Sequence, residues 1–316
     1  MKMVKFSVVL PVFNESGNLR KLDAEIRQVM NKLGSYEIIY VNDGSKDDSL
    51  NVLKSLKKCV IIDLQRNYGQ SAAMDAGFKH AEGDYVISMD SDLQNDPKDI
   101  PKMFELLKEK HLDVVAGWRV KRKDPLSVRV LTRISRYLRE FLIKDNVHDA
   151  GCTLRIYTQS AAKSLDLWGQ MHRYIIALLE WKGFKVGEIR VNHRSRHSGK
   201  TNYGFVKTVN GMTDLIYIWF INKYSRRPLH LFGAASFILF FVGIVIELYM
   251  AYMKIFHQIS LNREALFFAG FFFMIIAIQL FVSGVIIDIL LRNYFNTSPV
   301  EKRYRIKEII KNGHPK

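Results

Sequence analysis

The sequence predicts an α/β domain, a mostly parallel sheet with helices on both faces, followed by a C-terminal transmembrane α-helical hairpin. Three observations carry this prediction. Short apolar segments alternate with helical patterns through the first two thirds of the 316 residues. Polar clusters follow those apolar segments directly. Two apolar runs in the last third each exceed the roughly 20 residues needed to cross a bilayer core.

Phe6 to Phe13 is short, contains Pro11 and leads straight into Asn14-Glu15-Ser16, so it reads as a buried strand and not as a signal peptide. Further strands are expected over Glu37 to Val41, Val60 to Leu64, Tyr85 to Met89 and Leu112 to Ala116. Between them the spacing predicts helices over Leu19 to Leu33, Asp47 to Lys57, Gln70 to His80 and Lys98 to Lys110. The third has Ala72, Ala73 and Ala76 for close packing. Right-handed crossovers follow, and in such sheets ligands bind beyond the carboxyl ends of the strands.

Val128 to Ile143 is a basic amphipathic segment, with Arg129, Arg133, Arg136 and Arg139 among its apolar positions. It suits a solvated helix packed on the domain or a helix near a membrane surface or anionic ligand. Residues 205–228 form an interfacial amphipathic stretch, ending in Tyr224, Arg226, Arg227 and Pro228. The spans are expected at about 231–253 and 265–291, within a membrane region 229–292. Lys223, Arg226 and Arg227 precede them, and the tail 293–316 is basic, whereas the connecting loop has only Lys254 and Arg263. The positive-inside rule then puts domain 1–204 and both chain ends in the cytoplasm.

Composition narrows the classes further. A hydrophobic fraction of 48% excludes a disordered chain, and two cysteines exclude a disulfide scaffold. The net charge of +16 fits anionic lipid headgroups. Nucleic-acid binding has no motif to support it, and the cations crowd around the membrane segments.

The strongest chemical signal is Asp90-Ser91-Asp92-Leu93-Gln94, two carboxylates directly after an apolar strand. Such oxygen ligands suit Mg²⁺ or Mn²⁺ bridged to a diphosphate. The other strand ends carry Pro11-Val12-Phe13-Asn14-Glu15, Asn42-Asp43-Gly44-Ser45 and Arg66-Asn67-Tyr68-Gly69-Gln70. Glu15 and Asp43 can accept bonds from ribose hydroxyls or base N–H groups, while Ser45 reads as a helix cap. Four polar strand ends on one edge make a nucleotide site. Gly199-Lys200-Thr201 is no phosphate-binding loop, because Arg194 stands where that motif needs Gly. His193 and His197 lack the Glu that a zinc helix carries, and no Gly-x-Gly-x-x-Gly supports a dinucleotide fold.

Together these segments resemble the inverting family-two glycosyltransferases of the GT-A (Rossmann-like) fold, within them the polyprenyl-phosphate glycosyltransferases. Two later segments add to the resemblance. Asp149-Ala150-Gly151-Cys152-Thr153-Leu154-Arg155 is similar to the family's Asp-x-Gly-x-x-x-Arg, and His193-Arg194-Ser195-Arg196-His197-Ser198-Gly199 to its His-Arg-x-Arg-x-x-Gly. The resemblance implies a donor site of Pro11, Asn14, Glu15, Asp43, Arg66, Asn67, Gly69, Gln70, Asp90, Ser91, Asp92 and Gln94. It implies Asp90 and Asp92 as the metal site, with Mg²⁺ or Mn²⁺ as cofactor. Catalysis falls to Asp92, Arg196 and Asp149, the last as base or as a group that orients acceptor or sugar. The acceptor lipid phosphate falls to Arg119, Arg133, Ser135, Arg194 and Arg196.

The implied reaction moves a hexose from a nucleotide sugar, by preference a UDP-sugar such as UDP-glucose, to a polyprenyl monophosphate at the cytoplasmic face. A homo-oligomer is a further implication. The competing readings are a transferase acting on another membrane lipid hydroxyl, and a catalytically silent nucleotide-sugar-binding scaffold. One departure from the pattern is Gly199-Lys200-Thr201-Asn202-Tyr203, where the family's cation has moved to Lys200.

Overall fold

A computed structural model describes residues 4–120, 147–194, 216–217, 219–220, 223–224, 227–260, 265–297 and 306–312. The basic segment 128–143, the stretch 195–203, Arg133, Ser135 and Arg196 lie outside these, as does most of 205–228. The chain divides into two compact units, Met1–Leu215 with Lys302–Lys316, and Ile216–Glu301.

The first unit is built on one eight-stranded sheet of order β7-β5-β6-β4-β1-β2-β3-β8. Its strands are β1 Phe6–Val12, β2 Tyr36–Asn42, β3 Cys59–Leu64, β4 Tyr85–Ser88, β5 Val114–Trp118, β6 Arg155–Thr158, β7 Val186–Arg190 and β8 Ile306–Asn312. β1 pairs in parallel with β2 and β4, β2 with β3, and β5 with β7. β6 runs antiparallel between β4 and β5. The carboxyl ends of β1 to β5 and β7 therefore line one edge, and the loop entering β6 opens onto it.

The five predicted strands and their crossover helices are present. α1 is Ser16–Leu33, α2 Ser49–Ser55, α3 Gln70–His80 and α4 Ile100–Glu109, the last preceded by a 3₁₀ turn at Pro97–Asp99. α1 turns Leu19, Leu22, Ile26 and Met30 into the core at helical spacing. α3 lies close on the sheet because its residues are small. A Cβ on Gly77 would come within 2.2 Å of the Val9 side chain. α5 (Gln159–Lys163) and α6 (Ile175–Trp181) complete this unit.

The structure differs from expectation at four strands, of which β6 and β7 were not expected at all. The fifth strand starts two residues late, which puts Trp118 at its end and Arg119 just beyond it. The tail is also more than a basic tail: β8 pairs antiparallel with β3, Ile61 facing Ile310 and Ile62 facing Ile309.

The second unit holds α7 (Pro228–His257) and α8 (Ala265–Thr297). The described residues before them, at 216, 217, 219, 220, 223 and 224, are helical. Both helices are long and apolar enough to cross a membrane, with mean hydropathies of 2.4 and 2.5. They meet at small residues, where a Cβ on Gly243 would lie 2.9 Å from the Gly270 carbonyl. Glu247 faces Gly270 at this crossing, and its Oε1 is buried with no hydrogen-bond partner among the described residues.

Candidate active site

The first three strand ends are stitched together by side chains that bind backbone. The Asn14 N–H donates to Ser45 Oγ (3.0 Å), that of Glu15 to Ser49 Oγ (2.9 Å) and that of Ser16 to Asp47 Oδ2 (3.1 Å). Asn14 sits at φ 57 and accepts the Lys46 N–H in return (2.7 Å). The expected role of Ser45 as cap of its own helix is thus replaced. Its hydroxyl serves the turn before α1, because the β2–α2 loop folds over that helix's orphan N–H groups.

Asp43 is buried and accepts from the N–H groups of Tyr68 (2.7 Å) and Gly69 (2.9 Å). Burial raises its pKa, and these two bonds oppose the rise. Gly44 is required here: its φ is +64, and an added Cβ would stand 2.5 Å from the Arg66 backbone. Glu15 accepts from Asn18 Nδ2 (2.6 Å), and Arg66 lies over the Tyr68 ring. Arg66 and Asn67 are exposed, and Gly69 begins α3 at φ 93.

The Asp90–Gln94 loop occupies the centre of the edge. Gln70 Nε2 donates to Asp90 Oδ1 (2.7 Å), and Ser91 Oγ donates to the Pro11 carbonyl (2.8 Å). The Gln94 N–H donates to Asp92 Oδ1 (3.0 Å), with Leu93 left-handed at φ 64 between them. The Asp90 carboxyl is pushed up to about 6, first by burial and then by the charge of Asp92, against a Thr153 hydrogen bond and the cations Arg119 and Arg155. Two adjacent carboxylates in mutual repulsion fit a divalent cation. Among the described residues no third His, Cys, Asp or Glu joins them, so phosphate and water oxygens would complete a shell, as Mg²⁺ and Mn²⁺ accept.

Beyond this centre the edge is built from ion pairs. Arg119 grips Asp149 with Nε at 2.7 Å from Oδ2 and Nη2 at 2.9 Å from Oδ1. The Gly151 N–H also reaches Asp149 Oδ1 (3.2 Å). Arg155 is fully buried in β6 and donates to the Ala150 and His172 carbonyls, which fixes the turn that carries Asp149. His172 meets Ser71 at 2.9 Å, and burial then the Arg173 and Arg155 charges push it down to about 3. Arg194 is the remaining described acceptor candidate. Its guanidinium is bound by Glu25 (2.6 Å) and Asp96 (2.7 Å).

Glu188, Thr153, Asn95 and His172 support the site without having been singled out from sequence. Glu188 had a signal, a carboxylate inside a strand-like segment. Asn95, which accepts from Thr153 Oγ1 (3.2 Å), had none.

A family model described as glycosyl transferase family 2 matches residues 7–166. The chain is 33% identical to a dodecaprenyl-phosphate galacturonate synthase of Rhizobium johnstonii, covering 98% of this chain and 94% of that protein. It is 32% identical to an undecaprenyl-phosphate 4-deoxy-4-formamido-L-arabinose transferase of Edwardsiella ictaluri, covering 99% and 97%. Among solved structures, glucosyl-3-phosphoglycerate synthase from Mycobacterium tuberculosis with Mn²⁺ and UDP-glucose matches at TM-score 0.54 and 18% identity, over 69% of this chain and 79% of that one. Mannosyl-3-phosphoglycerate synthase from Rubrobacter xylanophilus matches at TM-score 0.56 and 15% identity, covering 69% and 74%. These structural likenesses show the fold, which is GT-A-like.

Proposed function

The chain belongs to glycosyltransferase family 2, and on that premise we propose that it transfers a sugar from a nucleoside diphosphate, by preference UDP, to the phosphate of a polyprenyl monophosphate. The observation that carries this reading is the Asp90–Gln94 loop. It lies between the stitched ends of β1, β2 and β3 and the Arg119–Asp149 pair. The relatives' names support the acceptor, and the two apolar helices support a site of action at a membrane. The cationic flanks support placing the domain and both chain ends on the cytoplasmic side.

Residues of the chain have distinct tasks in this reading. Pro11, Asn14, Glu15, Asp43, Arg66, Asn67 and Gly69 line the nucleoside. Asp90 and Asp92 would hold a divalent cation, Mg²⁺ or Mn²⁺, which when bound offsets charge gathering on the leaving diphosphate. Gln70 fixes the orientation of Asp90, and Ser91 ties that loop to β1. Arg196 is proposed at the diphosphate or lipid phosphate, and Arg133 and Ser135 at the acceptor. Arg194 is not carried forward, because Glu25 and Asp96 occupy its guanidinium.

Asp149 reads better as a holder of Arg119 than as a base, since both its oxygens sit in the arginine fork. A phosphate acceptor supports that assignment. With a second pKa near 6 it is largely dianionic at pH 7 and attacks with little help. A lipid hydroxyl acceptor would need a competent base, so the paired state of Asp149 disfavours it.

The test is transfer of labelled sugar to undecaprenyl phosphate by the detergent-purified full chain with Mg²⁺ or Mn²⁺. Donors would be UDP-glucose, UDP-N-acetylglucosamine, UDP-galactose, GDP-mannose and nucleotide-activated galacturonate and 4-deoxy-4-formamido-L-arabinose. A lipid-linked product with one donor, lost in Asp92→Asn, is expected. Transfer to a diacylglycerol or ceramide and not to the phosphate would replace the proposal.

A further inference from the structure

One cluster on the acceptor half of the edge has no part in the roles above. Trp118 ends β5 and pairs across the sheet with Arg190, the last residue of β7. The Arg190 guanidinium lies 5.2 Å from the centre of the indole. The His148 ring stacks on the same indole at 4.3 Å between centres and 16° between planes. Glu188, two residues before Arg190, accepts the N–H groups of His148 and Asp149 (3.1 Å each), and its Oε2 stands 2.8 Å from His148 Nδ1.

The imidazole is therefore fixed twice, by stacking and by a carboxylate, although its side chain is 64% exposed. A surface histidine with no task has no need of either restraint. With the Nδ1 proton given to Glu188, Nε2 is turned to whatever approaches, and it has no hydrogen-bond partner among the described residues. Arg190 is exposed and has no ion-pair partner among the described residues. Arg119, next to Trp118, is paired with Asp149.

We propose that His148 and Arg190 form a binding site for a phosphomonoester dianion, with Glu188 and Trp118 as the positioning residues that aim them. The site rests on the acceptor reading above and names the groups that receive the acceptor's phosphate alongside Arg119. A dianion beside a nucleoside diphosphate needs a cation that is not already neutralised, and Arg190 supplies one beside the His148 ring, both packed on the Trp118 indole.

The experiment has two arms on the full chain in detergent. Calorimetric titration with geranyl phosphate, without donor, reads the site directly. Transfer kinetics to undecaprenyl phosphate read it in turnover. His148→Gln and Arg190→Gln, both at exposed positions, should each weaken geranyl phosphate binding about five- to thirtyfold, in line with loss of one charge-assisted hydrogen bond. The acceptor KM should rise by a similar factor, with donor KM and kcat within about twofold of wild type, and Glu188→Gln should show a smaller version of the His148 effect.

Binding of geranyl phosphate that both variants lose, with no transfer to any polyprenyl phosphate, would uphold the site and overturn the acceptor reading. Unchanged binding in both variants, no binding by the wild type, or an equal rise in donor KM would overturn the site.

Discussion

The two halves of the sheet edge hold their carboxylates by different means. On the half formed by β1, β2 and β3, Asp43 is buried and held by two backbone N–H groups, and the loops around it are joined through serine hydroxyls and short amide bonds. On the half formed by β5, β6 and β7, Asp149 and Glu188 also accept backbone N–H groups, but each is paired with a side chain as well, a guanidinium and an imidazole. A backbone cradle has fixed geometry and little charge to trade. An ion pair can exchange partners with an incoming anion. The first half suits a ligand bound the same way in every cycle, and the second suits a ligand that arrives bearing charge.

Four substitutions or deletions sharpen or break that contrast. The largest effect is expected at the centre. Asp92→Asn should lower turnover by roughly 10²-fold or more, as loss of a group that stabilises transition-state charge does, with thermal melting unchanged. Turnover near wild type in a folded variant would remove Asp92 from the mechanism.

Next is deletion of residues 302–316, which strips β8 from β3. The exposed edge should aggregate and melting should fall by several degrees, seen by light scattering and a thermal melt. A monodisperse deletion with unchanged melting would make β8 dispensable.

On the backbone-built half, Gly44→Ala forces a left-handed residue against Arg66 and should cost about 2–4 kcal/mol, with donor affinity falling and acceptor affinity spared. Equal loss of both affinities would mean that the halves are not separately built.

The smallest effect concerns pH. His172 has a depressed pKa in the folded state, so its contribution to stability is present above about 6.5 and is lost as pH falls towards about 3. His172→Asn should remove roughly 2–4 kcal/mol of that acid sensitivity, read from urea melts between pH 7 and 4. A variant as acid-sensitive as wild type would place the proton uptake elsewhere.

What could be read from the sequence follows burial. β1 to β4 and α1 to α4 were legible because each has a continuous apolar face or run, and α3 appears at its predicted bounds. β6 was missed because it is four residues long and begins with a buried arginine. β7 and β8 were missed for a related reason. They lie at the two margins of the sheet, and charges such as Glu188, Arg190, Lys307 and Lys311 interrupt the apolar alternation of their sequences.

The site divides likewise. The strand-end motifs on β1 to β4 were visible as polar groups after apolar runs. The pairing of Arg119 with Asp149, 30 residues apart, was not, because it depends on β6 being inserted between β4 and β5. Nor could Arg194 be seen to belong to Glu25, 169 positions away.

The pairing of β8 with β3 also bears on how the protein is made. Strand β3 is finished at residue 64, but its outer partner starts at residue 306. At roughly 5–20 residues per second, about 12–50 s pass between the two. During that time β3 is an open edge, and the ribosome meanwhile produces both apolar helices. The last strand of the soluble sheet is therefore delivered by chain that has already passed through the hairpin. The outer edge of the sheet is thus covered only after both apolar helices have been made.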